Sequence, residues 1–167
     1  PIISGVVTDM TEAKVTVLGV PDQPGVSAAL FEPLADANVN VDMIVQNTST
    51  DGTTDISFTM PMADMAQSES IVQKIADEIG ATKVTHDDDI AKISLVGAGM
   101  KSSPGIAAKM FRVLADADVN IQMISTSTIR VSIIIPSADM ERAAIALHTA
   151  FGLDSGADYS APLPERK

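Results

Sequence analysis

Leu34-Ala-Asp-Ala-Asn-Val-Asn-Val-Asp-Met-Ile44 returns as Leu114-Ala-Asp-Ala-Asp-Val-Asn-Ile-Gln-Met-Ile124, with eight of eleven positions identical. The repeat widens in both directions. Ala13-Lys-Val-Thr-Val-Leu-Gly19 reappears as Ala91-Lys-Ile-Ser-Leu-Val-Gly97, Pro24-Gly25 as Pro104-Gly105, and Ala63-Asp64-Met65 as Ala138-Asp139-Met140. A spacing of about 80 residues is too long for one solenoid repeat and fits a small domain. The chain is therefore a tandem pair of related modules. Any site has to be understood through what the two copies share and where they differ.

Within the first copy, Val15-Thr-Val-Leu18 alternates with branched residues and predicts a strand, which the turn formers of Gly19-Val-Pro-Asp-Gln-Pro-Gly25 then break. Val26, Leu30 and Leu34 fall on one helical face, with Ala29 and Ala37 beside them. Pro33 lies inside that helix and is expected to kink or shorten it, whereas the second copy carries Val113 there. Asn38-Val-Asn40 ends the helix, and Val41 to Gln46 reads as a second strand. Asp51-Gly52 is a hairpin signal ahead of a third strand from Asp55 to Met60. Asp64, with Gln67 three residues on, is a candidate cap for a helix whose apolar face is Ile71, Ile75 and Ile79. Thr82 to Thr85 reads as a closing strand.

The second copy repeats the order, with a strand at 92–97, a helix at 105–117, strands at 120–125 and 129–135 and a helix at 138–150. Its closing strand is not evident, because the chain turns polar from Gly152, with Pro162 and Pro164. The apolar stretch Ile2 to Val7 is predicted to pair into this copy instead. Strand–helix–strand–strand–helix–strand is an α+β arrangement, with helices covering one face of an antiparallel sheet. The expected domains are 13–90 and 91–151, the latter completed by strand 2–7, followed by a polar tail at 152–167.

Composition narrows the function classes. With 46% hydrophobic residues, two small cores can be buried. A net charge of -11 lacks the basic footprint that nucleic acid requires, and aromatics at 3% leave little for base stacking. No cysteine is present, so thiolate chemistry and disulfides are excluded. No apolar run reaches the ~18 residues of a membrane span, and the N-terminus lacks signal-peptide regions. A cytoplasmic protein with no nucleic-acid or membrane partner is expected. Pro1 fits either removal of an initiator Met or a segment of a longer chain.

Several tempting motifs have plainer readings. Gly97-Ala-Gly-Met-Lys-Ser102 fails as a P-loop because Met100 replaces the Gly before the Lys, and as a dinucleotide fingerprint because Ser102 replaces the third Gly. The corresponding loop of the first copy holds Pro-Asp-Gln, which suits a variable connector. In His86-Asp-Asp-Asp89 consecutive carboxylates alternate faces and cannot converge on one ion, so a solvated turn is expected. His148 matches Gln73 and is expected to be exposed. The nine methionines fall mostly at core periodicities, Met43 matching Met123 and Met65 matching Met140. No catalytic set, metal site or cofactor is expected.

The loop between first strand and first helix is different. Pro-Gly occurs there in both copies, and Gly25 opens a helix whose backbone N–H groups could hold a carboxylate. Asp22, just before it, can pair with an ammonium group, and Gln46 at the end of the second strand offers donor and acceptor together. Those three receivers suit a small free amino acid; an ordinary turn with a helix cap is the alternative. The second copy has Lys101-Ser102-Ser103 in place of Asp22-Gln23, and Thr126 in place of Gln46, so the two loops are not equivalent. Asn40 and Asn120, each at a strand entrance, fit either turn residues or backbone-presenting site residues.

Thr11-Glu-Ala-Lys-Val-Thr-Val17, Pro21-Asp-Gln-Pro-Gly25, Val41-Asp-Met-Ile-Val-Gln-Asn47, Asp51-Gly-Thr-Thr-Asp55, Lys92-Ile-Ser-Leu-Val-Gly-Ala-Gly-Met-Lys-Ser102 and Ile124-Ser-Thr-Ser127 together resemble the paired ACT domains of aspartate kinases. The resemblance covers nearly all of residues 5–151 and does not include the kinase half. It implies two tandem ACT domains of the ferredoxin-like βαββαβ type, forming a regulatory subunit or segment that partners a catalytic kinase chain. It further implies a homodimer that binds an end-product amino acid at ACT–ACT interfaces and inhibits aspartate phosphorylation. By matching motif, a threonine site would use Asp22, Gly25, Ser27 and Gln46, with Asn40, Val41 and Asp42 nearby. The second repeat would contribute Ile106, Ala107, Asn120, Ile121, Ser127 and Thr128. The family pattern Ser-Thr-Ser-Glu-Ile-Arg stands here as Ser125-Thr-Ser-Thr128-Ile-Arg130, so a carboxylate partner for a cationic effector such as lysine is lost. Alternatives are a free-standing ACT pair that senses an amino acid for another partner, a dimerisation module without ligand, and nucleotide-dependent catalysis.

Overall fold

Residues 3–98 and 104–153 are described by the computed structural model, and the chain divides into two units. One is Thr11–Asp88; the other joins the described residues up to Met10 to those from Asp89 onward. The chain begins with β1 (Gly5–Asp9). The first repeat follows as β2 (Glu12–Pro21), α1 (Val26–Asp36), β3 (Ile44–Gln46), β4 (Thr53–Pro61), α2 (Met65–Ile79) and β5 (Lys83–Asp87). The second repeat is β6 (Ile90–Val96), α3 (Gly105–Asp116), β7 (Met123–Thr126), β8 (Arg130–Pro136) and α4 (Met140–Ala150).

Each unit holds a four-stranded antiparallel sheet, ordered β3-β4-β2-β5 in one and β7-β8-β6-β1 in the other. The two orders are equivalent. The outer place that β5 takes after its own second helix is taken in the second sheet by β1, which precedes the whole repeat. Gly5 faces Val96 and Asp9 faces Lys92 in that antiparallel pair. Each unit is an α+β ferredoxin-like module.

Alternation decides which face is apolar. Ala13, Val15 and Val17 on β2 join Ile56, Phe58 and Met60 on β4 in one core with Val26, Leu30 and Leu34 of α1 and Val72 and Ala76 of α2. Both helices therefore lie on the same face of their sheet. The second unit repeats this with Ala91, Ile93 and Leu95, Val131, Ile133 and Ile135, Met110 and Leu114, and Ala143 and Leu147. Fully burying a side chain such as Leu30 or Phe58 contributes about 1.5–3 kcal/mol. The Phe31 ring meets Phe58 edge-on at 5.2 Å between centroids.

The repeated segments at 34–44 and 114–124 each begin as a helix terminus. Asn38 donates its N–H to Ala35 O and Val39 to Leu34 O, both at 2.9 Å; Asp118 and Val119 do the same to Ala115 and Leu114. This double closure is a Schellman motif, and it needs a left-handed residue at its second-last position. Asn38 (φ 61°) and Asp118 (φ 59°) supply it, the short polar side chains best able to stand in for glycine there. The following Val39 and Val119 return to the core. The next helix of each unit takes up the carbonyls that follow: Gln67 donates to Ala37 O at 3.2 Å, and Arg142 donates to Ala117 O at 2.8 Å and Asp118 O at 3.1 Å. A cation at a helix C-terminus complements the helix dipole.

Several boundaries differ from the sequence expectation. β2 does not stop at Leu18; it continues to Pro21 through a bulge between Val17 and Val20, where Gly19 adopts φ 66°. Any Cβ at Gly19 would also collide with the Thr82 side chain. β3 is confined to Ile44–Gln46 rather than starting at Val41, because the Thr59 hydroxyl accepts the Met43 N–H at 3.1 Å in place of a ladder carbonyl. Pro33 does not end α1, which runs on to Asp36. Asp64 stands at the cap position of α2 without a side-chain cap bond, and the Gln67 side chain, expected to complete a capping box, bonds Ala37 O instead. The most deeply buried line of α2 is Ser68, Val72 and Ala76, with Ile71, Ile75 and Ile79 flanking it half-buried. His86 lies in β5 rather than in a turn, and its Nε2 is buried without a hydrogen-bond partner. His148 is half-buried on α4 rather than exposed. Met43, Met60, Met110 and Met123 are buried, whereas Met10 is exposed. The stretch Gly99–Ser103, including Lys101-Ser102-Ser103, and the tail from Asp154 lie outside the described residues.

No helix among the described residues is long and apolar enough to cross a membrane. No cluster of three or more metal-ligating side chains occurs among them either.

Candidate effector site

The loop that joins β2 to α1 is fixed from both sides. Asp55 Oδ1 accepts the Gly19 N–H at 3.0 Å, and Gly52 O accepts the Asp22 N–H at 2.9 Å. Nothing local in the sequence singles out Asp55, and only the pairing of β2 with β4 brings it to the Gly19 bulge. The β3–β4 turn is itself ordered: Asp51 Oδ1 accepts from the Thr53 hydroxyl at 2.7 Å and the Thr53 N–H at 3.0 Å, and Ser49 Oγ accepts the Gly52 N–H at 2.9 Å. These bonds, the hydroxyl first and the backbone second, hold the Asp51 carboxyl below its ordinary value of 3.8.

Gly25 then turns the chain into α1 with φ 97°, and no side chain caps the helix. Nothing would obstruct a Cβ at Gly25, so the positive φ alone demands glycine. Past it, the Ser27 hydroxyl donates to Gln46 Oε1 at 3.2 Å, joining the first turn of α1 to the end of β3. Asp22 and Gln46 are exposed and Ser27 is half-buried. An oxygen-lined concavity of about 260 Å³, bordered by Asn47, Thr48, Thr50 and Asp55, opens beside this mouth. Four of the residues named from sequence, Asp22, Gly25, Ser27 and Gln46, thus lie at one end of the sheet.

Asn40, Val41 and Asp42 do not join them. They follow the C-terminus of α1, and an 11-residue helix puts about 16 Å between its ends. Asp42 donates its N–H to Thr59 O at 2.9 Å, and Val41 packs against the core.

In the other unit, Ile106 and Ala107 open α3, and Ser127 and Thr128 form the exposed β7–β8 turn at the same end of that sheet. Ser127 donates its N–H to Arg130 O at 2.8 Å, and its hydroxyl accepts the Ile129 N–H at 3.3 Å. Gly97 donates to Ile129 O at 2.9 Å and ties the turn to the end of β6. Asn120 and Ile121 sit beyond the C-terminus of α3, and the side chains of Ile106 and Ile121 pack against the core. Ala107 and Thr126 replace Ser27 and Gln46, so the second mouth has no counterpart of that side-chain bond.

This arrangement can supply backbone N–H groups for a carboxylate, a carboxylate for an ammonium group and an amide for a polar side chain. ACT domain family models match residues 14–80 and 93–151. Over 154 residues the chain is 49% identical to the aspartokinase of Corynebacterium efficiens, and over 157 residues 52% identical to the aspartate kinase of Pseudomonas fluorescens. Those alignments take in 91% and 94% of this chain but 37% and 38% of the relatives, so it spans little more than a third of their length. A crystal structure of aspartokinase alpha and beta subunits superposes with a TM-score of 0.85 at 48% identity, covering 90% of this chain and 99% of that one. The ligand-free regulatory subunit of aspartate kinase from Thermus thermophilus gives 0.86 at 37% identity, again covering 90% and 99%.

Proposed function

The chain belongs to the aspartokinase family, as its tandem ACT regulatory region, and on that premise we propose that it senses threonine and conveys feedback inhibition to an aspartate kinase. The observation that carries this reading is the mouth of α1. Its helix start is uncapped by side chains, Asp22 is exposed beside it, and Ser27 and Gln46 are joined across it. A zwitterion fits these groups in one orientation, with its carboxylate toward the backbone N–H groups and its ammonium toward Asp22.

In this reading Ile106, Ala107, Asn120, Ile121, Ser127 and Thr128 complete the site across an ACT–ACT contact in a homodimer. Asn40 to Asp42 stand further off. The kinase chain performs ATP-dependent phosphotransfer to L-aspartate, and this region has no cofactor of its own. Threonine shifts the enzyme only by the difference in its affinity for the inhibited and active arrangements, typically worth ~1–3 kcal/mol. Lysine is the second candidate effector, disfavoured by Thr128.

The test is a thermal-shift screen of the twenty amino acids. A ligand that binds only the folded chain raises its melting temperature with concentration. Threonine is expected to give the largest concentration-dependent rise. A flat response across all twenty would leave a dimerisation module without ligand.

A further inference from the structure

Asp51-Gly52 is the one Asp-Gly step in the chain, and no Asn-Gly step accompanies it. We propose that this step is a site of spontaneous covalent rearrangement to isoaspartate, held closed in the folded chain by the hydrogen bonds that Thr53 gives to Asp51 and Gly52 gives to Ser49. The product is the chemical class that a carboxyl methyltransferase using S-adenosylmethionine takes as substrate.

The rearrangement needs no reactant beyond water. The Gly52 backbone nitrogen bonds to Asp51 Cγ and loses its proton, and a carboxyl oxygen leaves as water, closing a five-membered succinimide. Glycine exposes that nitrogen most, because it has no Cβ to cover it. Water then adds to one of the two ring carbonyls. Opening at the side-chain carbonyl restores aspartate. Opening at the main-chain carbonyl leaves a chain that runs through Cγ, one carbon longer, with a free α-carboxylate and no change of mass.

Three bonds oppose the first step. Asp51 Oδ1 accepts the Thr53 hydroxyl at 2.7 Å and the Thr53 N–H at 3.0 Å. Both favour the ionised carboxylate. That form is the poor electrophile, because the departing oxygen carries no proton. The same bonds tie the carboxyl to residue 53 and restrain its rotation onto the Gly52 nitrogen. The Gly52 N–H is itself given to Ser49 Oγ at 2.9 Å, so the attacking nitrogen's proton is engaged. Asp51, Gly52 and Thr53 are all exposed, so hydrogen bonding and not exclusion of water does the guarding. Failure of the guard would reach further than the turn. Gly52 O accepts the Asp22 N–H at 2.9 Å, and an added backbone carbon would displace that anchor of the β2–α1 loop.

The experiment ages the intact chain in mildly acidic buffer and follows isoaspartate at position 51. Peptide mapping and methyl transfer from S-adenosylmethionine by an isoaspartyl methyltransferase give two readouts. The chain unfolded in urea is the unguarded reference. Folded wild type should form isoaspartate about tenfold more slowly than the unfolded chain. Thr53→Val and Ser49→Ala should each raise the folded rate by about threefold or more, relative to the same variant unfolded. Thr53→Ser keeps the hydroxyl and should match wild type. Variants that age no faster than wild type overturn the guard, as does a rise shared by every other aspartate, which marks global unfolding. An unfolded chain that forms no isoaspartate at position 51 overturns the site.

Discussion

Ser94 and Ser132 face each other across β6 and β8 and share a hydrogen bond between hydroxyls at 2.7 Å, both buried. The first repeat holds the same bond at the equivalent place, Thr16 with Ser57 at 2.9 Å, half-buried. Both pairs lie on the sheet face opposite the helices, since Val15, Val17, Ile93 and Leu95 beside them point into the cores. A polar pair in a buried position persists because each hydroxyl satisfies the other.

That reciprocity sets an asymmetric expectation. Ser94→Ala strands the Ser132 hydroxyl and should destabilise the chain by about 1–3 kcal/mol in urea denaturation, whereas Ser94→Ala with Ser132→Ala should recover most of the loss. The same two changes at Thr16 and Ser57 should cost less, because water reaches that pair. A double variant weaker than the single would show that the bond is not the reason for the pair.

Asp22→Ala should weaken threonine binding by tenfold or more, about 1.4 kcal/mol, by removing the partner of the effector's ammonium group. Isothermal titration measures it directly. Equal affinity in the two proteins would remove Asp22 from the site. Far-ultraviolet circular dichroism should be unchanged, since only the backbone N–H of Asp22, and not its side chain, is tied to Gly52.

Thr128→Glu restores a carboxylate to the β7–β8 turn, at an exposed position where the change adds no buried charge. Lysine, which should bind wild type weakly, is expected to gain about tenfold in affinity while threonine binding holds. Titration with lysine at low and high salt checks it, because a gain of electrostatic origin shrinks as salt rises. No gain at low salt would remove Thr128 from effector choice.

The β3–β4 turn should respond to acid. Thr53 holds the Asp51 carboxyl below 3.8, so its carboxylate contributes to stability above that value and the contribution is lost as pH falls through the depressed folded pKa. The stability difference between wild type and Asp51→Ala should therefore be constant near neutrality and close as the solution is acidified below 3.8. Urea midpoints of both proteins across that range measure the effect. A difference that persists at low pH would mean the carboxylate is not its source.

Much of this was legible in the residues. The repeat announced two modules, and the spacing of Val26, Leu30 and Leu34 placed α1 and its buried face. The Pro-Gly turn marked the start of that helix, and Asp22, Gly25, Ser27 and Gln46, named from the chain alone, do share one end of one sheet. The misplacements follow one cause. The ends of β2 and β3, the diversion of Gln67 to Ala37 and the burial of Ser68 rather than Ile71 all depend on partners distant in sequence.

Periodicity and repetition determined the helix and strand content, the pairing of two like modules and the apolar face of α1, because those are set by neighbours within a few residues. The sequence pointed the 2–7 stretch at the second copy, but only tertiary structure decided that its neighbour there is β6, that Asp55 orders the Gly19 bulge, and that Asn40 to Asp42 follow the end of α1 opposite Gly25. Each depends on which strand lies beside which. Register is a property of two segments at once, and no single stretch of chain contains it.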